Sequence, residues 1–140
     1  MSVWIDRILL LALILVVALL TITALPFFAG QTLGGQTLLI HMMASGVLVV
    51  GLPLFALVFL RHLRPSQPAS KAQQAGYLAT IATGLLTILT VLACMLPIAS
   101  TEQMHVLMET HGWAGLAMIP AIGLLLIGMR AKRSASHLHS

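Results

Sequence analysis

"ILLLALILVVALLTITALPFF", residues 8–28, decides the fold. It holds no charged residue, and its length is close to the roughly 20 residues with which an α-helix crosses about 30 Å of hydrocarbon. Lipid offers backbone amides no hydrogen bonds, so a helix or a closed barrel is required. The stretch is too long for a signal-peptide core and has no persuasive cleavage site, so it is read as a retained helix. Three further apolar stretches follow, Thr37–Leu60, Tyr77–Leu96 and Val106–Ile127. The chain of 140 residues is 59% hydrophobic and 7% charged, with mean hydropathy +1.05. That leaves too little polar surface to cover a soluble domain of this size.

Between these stretches lie "PFFAGQTLGGQT", "RHLRPSQPASK" and "MLPIASTEQM", rich in glycine, proline and small polar residues. Pro97 ends the third helix, and Ser100 with Gln103 makes an S-x-x-Q capping box that starts the fourth. Short connections make neighbouring helices antiparallel. The sequence therefore predicts an all-α, membrane-spanning, up-down-up-down four-helix bundle occupying residues 1–140 as one domain. Its helices are expected at about 5–28, 36–62, 73–97 and 101–130, followed by a disordered cytoplasmic tail at 131–140. Helices two and four run parallel, across the diagonal.

All seven basic residues, Arg7, Arg61, Arg64, Lys71, Arg130, Lys132 and Arg133, fall at the N-terminus, in the middle connection or in the tail. The positive-inside rule puts those parts in the cytoplasm and the other two loops outside, as expected of a multi-pass protein of a bacterial inner membrane. The net charge of +4 then reflects topology. Anionic lipid is a sufficient partner for it, and nucleic acid is not implied. One cysteine, Cys94, allows no disulfide within the chain, and the absence of a C-x-x-C-H run excludes covalent c-type haem attachment.

Helix three carries Thr80, Thr83, Thr87, Thr90 and Cys94 on one face, a pattern that marks helix-to-helix contact in lipid. Pro53 and Pro120 interrupt helices two and four, whereas helices one and three have no interior proline. Trp113 suits the outer aromatic belt, and Trp4 and Tyr77 the inner one.

Of six histidines, His137 and His139 lie in the polar tail and His62 suits the headgroup region. His41, His105 and His111 belong to the ends of helices two and four that face away from the cytoplasm, where ionisable side chains are costly and mark function. Two axial imidazoles on rigid elements, each beside small residues, are what a haem iron needs. His41 is followed by Ala44 and Ser45 on its own face, and His111 by Ala114 and Gly115, with Met108 and Met118 at the margins. His111 is preferred as the helix-four ligand for these small neighbours. His105, which points about 120° away, is the alternative and matches His41 better in depth.

With "LLIHMMASG" on helix two and "LMETHGWAGLAM" on helix four, the chain resembles the four-helix membrane cytochromes of b type, the haem-bearing anchors of respiratory complexes. The resemblance implies one non-covalent haem b with His41 and His111 as axial ligands. It also implies a subunit that passes electrons between the quinone pool and a partner on the non-cytoplasmic side, a periplasmic cytochrome or redox enzyme within a larger membrane complex. A second haem is not expected, because helix four ends "GLLLIGMR" with no histidine near the cytoplasmic side. The outer loops lack Lys and Arg, so propionates would rely on Gln31, Thr32, Gln36, Thr101, Gln103 and backbone amides.

Three carboxylates complete the inventory. Asp6 pairs with Arg7 at the interface, and Glu102 complements the dipole of helix four. Glu109, if buried, would have a raised pKa and accept a proton from a quinol; alternatively it bonds helix one or another subunit. Two other functions compete with electron transfer. One is a cofactor-free structural subunit of a larger complex. The other is copper handling, for which "HMM" and "MHVLMETH" offer imidazole and thioether ligands. Nothing resembles a nucleophile with its base or a phosphate loop.

Overall fold

In the computed structural model the chain forms four helices, α1 (Val3–Phe28), α2 (Gly35–Leu60), α3 (Lys71–Met95) and α4 (Thr101–His137). The structure describes residues 3–32, 34–60, 70–97 and 99–137, with backbone alone at 3 and 131–137. Arg61, His62, Arg64 and His139, and the side chains of Lys132, Arg133 and His137, lie outside the described residues. All four helices are long and apolar enough to cross a membrane. The protein is an all-α, multi-pass membrane bundle.

Local chemistry sets the helix ends. After Phe28 the Gly30 N–H donates to the Phe27 carbonyl at 3.0 Å and the Gln31 N–H to that of Pro26 at 2.9 Å. This is a Schellman closure, with Gly30 at φ 75°, a conformation that glycine adopts without a Cβ penalty. Ser70 caps α3 by accepting from the Gln73 N–H at 3.1 Å. The expected box at α4 is present: the Ser100 N–H donates to Gln103 Oε1 at 2.9 Å, and the Gln103 N–H to Ser100 Oγ at 3.3 Å.

Two expectations about helix limits need correction. α4 does not stop at 130 but continues through His137. "RAKRSASH" contains neither glycine nor proline, and its Ala, Lys and Arg favour helix, so nothing there ends it. α1 also contains a proline, Pro26, in its last turn, where the helix is already closing.

Packing divides the bundle into two antiparallel hairpins. α3 lies closest to α4, and α1 packs on α2. Contacts of α1 with α4 and of α2 with α3 are sparser, so the helices follow chain order around the bundle with α2 and α4 across the diagonal. Glycines explain the close α3–α4 approach: a Cβ on Gly76 would overlap the backbone of Leu125, and one on Gly128 that of Gln73. Small residues that let backbones meet are the usual basis of helix association in lipid, where no hydrophobic force separates protein from solvent. The buried threonines of α3, Thr80, Thr87 and Thr90, lie between helices as expected, their hydroxyls bonded to carbonyls four residues earlier. Leu11, Leu15, Val50, Leu57, Leu89 and Ile127 point outward, a surface suited to acyl chains.

The two halves of the bundle differ. Towards the end that holds Arg7, Lys71 and Arg130, Phe55, Phe59, Leu125 and Tyr77 close a tight core, the two phenylalanines stacked with centroids 4.3 Å apart. Tyr77 is thus no belt residue. It is 6% exposed, and its hydroxyl donates to the Ala56 carbonyl of α2 at 2.8 Å, which gives the ring a polar partner inside the bundle. Trp4 and Trp113 are exposed, as belt residues are. The opposite half of the bundle is looser.

Candidate functional site: an imidazole pair between the hairpins

His41 belongs to the first hairpin and His111 to the second, and the diagonal arrangement turns both inward. Their ring centroids lie 6.3 Å apart at an interplanar angle of 72°. Both are half-buried. Around them the hairpins diverge and leave two cavities that share His41, His111, Ala24, Phe28 and Gly112 as walls. The smaller, about 40 Å³, reaches down to Leu48 and Met118. The larger, about 230 Å³, opens toward Leu38, Cys94 and Met108.

Each ring is anchored through Nδ1 to its own hairpin. His41 Nδ1 lies 2.8 Å from Thr23 Oγ1 on α1. The Thr23 hydroxyl also lies 2.8 and 3.0 Å from the carbonyls of Leu19 and Leu20, which favours its oxygen as the acceptor from Nδ1–H. His111 Nδ1 lies 3.0 Å from the Thr87 carbonyl and 3.2 Å from Thr90 Oγ1, both on α3. A carbonyl only accepts, and Thr90 gives its own proton to Leu86 and Thr87, so this Nδ1 also donates. A neutral imidazole with its proton on Nδ1 keeps a lone pair on Nε2.

Of the small neighbours, Ala44 and Ala114 are buried, and Ser45 donates its hydroxyl to the His41 carbonyl at 2.8 Å; Ala44 and Ser45 line neither of the two cavities. Gly115 lines the smaller cavity, and a Cβ there would meet nothing within 4 Å. Met118 is 1% exposed beneath the pair, whereas Met108 borders the larger cavity from a partly exposed position. Gly112 receives the edge of Phe28, the nearest ring atom 3.0 Å from an added Cβ.

The other candidates on α4 lie elsewhere. His105 and Glu109 are largely exposed on the outside of the bundle, with Nε2 and Oε1 3.9 Å apart on successive turns. The structure does not bring His105 to His41, and Glu109 is not a buried carboxyl. His105, Met108 and His111 do not converge, and among the described residues no group of three or more His, Cys, Asp or Glu side chains could hold a metal ion. Sequence reasoning missed Thr23 and the part played by Thr87 and Thr90 beside His111. A threonine in α1 five residues before the turn, at the depth of His41, was the available signal.

These features define a four-helix multi-pass membrane protein with a pair of histidines, one from each hairpin, lining an internal crevice. Compared with protein families, with curated sequences and with solved structures, the chain matches none.

Proposed function

We propose that the protein is a haem b-binding electron-transfer subunit of a bacterial inner-membrane complex, with His41 and His111 as axial ligands of one non-covalent haem. The observation that carries this reading is the donor set. Two imidazoles, one from each hairpin, have Nδ1 bonded within their own hairpin and ring centroids 6.3 Å apart. Two metal–nitrogen bonds of about 2 Å, plus the depth of each ring, would come to about 6 Å. Gly115 leaves room beside His111, and Met118 and Met108 line the margins.

When bound, such a haem supplies one-electron redox chemistry. The chain's own part is to hold two rigid ligands, to keep bulk water out with Phe28, Leu48 and Met118, and to place the pair in the half of the bundle opposite the basic end. With that end cytoplasmic, the electron partners are quinol in the membrane and a redox protein on the outer side. The exposed His105 and Glu109 are the polar groups of α4 available to that protein or to a quinol's proton. A structural subunit would need no pair of imidazoles beside an apolar crevice, and that distinction favours the haem.

The test is a reduced-minus-oxidised absorption spectrum of the purified protein. Bands of haem b are expected, lost in His41→Ala and in His111→Ala and retained in His105→Ala. A colourless protein, bands that survive both inner substitutions, or copper without haem on elemental analysis would overturn the proposal.

A further inference from the structure

The crevice walls are apolar apart from the histidines, Thr21, Thr87 and Cys94, so the place of each imidazole proton decides whether a ligand there meets a lone pair or an N–H donor. In water the proton of a neutral imidazole moves readily between its two nitrogens, so something in the fold must place it. At His111 the Thr87 carbonyl, which can only accept, stands 3.0 Å from Nδ1, and at His41 Thr23 Oγ1 stands 2.8 Å from Nδ1. The Thr23 and Thr90 hydroxyls also lie within reach of carbonyls on their own helices, which favours each oxygen as an acceptor from the ring.

We propose that Thr23 and the Thr87–Thr90 turn are positioning residues that lock both histidines as Nδ1–H tautomers, so that the crevice binds an electron-pair acceptor, a metal centre, and rejects ligands that are themselves acceptors. The assignment rests on the reading of His41 and His111 as the ligand pair. It goes further in naming what makes them ligands. At His41 these are the Thr23 hydroxyl and, beside it, the Leu20 carbonyl. His111 has two acceptors, one of them a backbone carbonyl that no side-chain substitution removes. Thr83, on α3 one turn before Thr87, bonds only the Ala79 and Thr80 carbonyls and lines neither cavity, which makes it an internal control.

The experiment uses the full-length protein in lipid nanodiscs, labelled with 15N in its histidine rings and freed of haem. Spectra are taken at a pH well above the ordinary imidazole value of about 6.5, where neutral tautomers are observed. Both inner rings are expected to carry the proton on Nδ1. Ferric haem is then titrated into each variant. Loss of an outer-shell partner typically weakens metal binding by about 10–100-fold, so Thr23→Val is expected to weaken haem binding within that range and Thr23→Ser to restore it. Thr83→Val, outside the crevice, should leave it unchanged. A ring proton on Nε2 of either histidine in the haem-free protein overturns the assignment, as does equal weakening by Thr83→Val and Thr23→Val. A protein that binds no haem but carries both protons on Nδ1 ends the haem reading and leaves the tautomer lock standing. Haem binding with the proton on Nε2 does the reverse.

Discussion

Single residues in this bundle are decided by whether a polar atom finds a partner, because lipid and protein core are equally apolar and offer none. Tyr77 shows the rule. Its sequence position near the start of α3 suits an interfacial belt, but the Ala56 carbonyl is within reach of its hydroxyl, and the ring sits in the core. Tyr77→Phe keeps the ring and removes one hydrogen bond, so it is expected to cost about 0.5–1.5 kcal/mol, the range for such bonds in and out of membranes. Reversible unfolding in mixed micelles would measure it, and an unchanged stability would show the hydroxyl to be unpaired. The same rule explains which site residues were legible. His41 and His111 stand out because an imidazole in an apolar run is conspicuous. Thr23 does not, because a threonine satisfies itself by bonding a carbonyl on its own helix, and its second role depends on a ring from α2 that the sequence of α1 cannot reveal.

At the scale of elements, the helices were legible from length and apolarity, and their ends from the Ser100–Gln103 box and the glycine after Phe28. Which face of each helix points inward was not legible. A soluble helix shows an apolar stripe, whereas these carry leucine and valine on lipid-facing and buried faces alike, as Leu13 inside and Leu15 outside illustrate. Glycine is the better guide, and it yields a prediction. A Cβ on Gly76 or Gly128 runs into backbone of the facing helix, which cannot swing aside as a side chain can. Gly76→Ala and Gly128→Ala should each force α3 and α4 apart and cost about 1–3 kcal/mol or more, the range for overpacking. Gly123→Ala, on α4 with nothing within 4 Å of the new methyl, should be neutral or stabilising by up to about 1 kcal/mol through helix propensity. Comparing the three in one unfolding assay separates close approach from propensity, and equal effects at all three sites would refute the glycine-packed hairpin.

Over the whole molecule, the two hairpins are held together firmly at one end and loosely at the other. Phe55, Phe59, Tyr77 and Leu125 pack the basic end, while the opposite half meets across cavities at the histidine pair. A ligand held by His41 from one hairpin and His111 from the other joins them where they are least joined. Its binding free energy therefore adds to stability by mass action, about 2.7 kcal/mol at a hundredfold excess over its dissociation constant. The gain should be local. Amide hydrogen exchange on the full-length protein, with and without ferric haem, is expected to slow around Thr21–Phe28, Leu38–Ser45 and Met108–Gly115. Around Phe55–Phe59 and Tyr77–Thr80, where packing already limits opening, it should change little. His41→Ala cuts the link on one side, so the haem-dependent protection should vanish in both hairpins at once rather than in α2 alone. Protection that persists in α3 and α4 of that variant would mean that the ligand is held within a single hairpin, and the crevice between the two would lose its place in the mechanism.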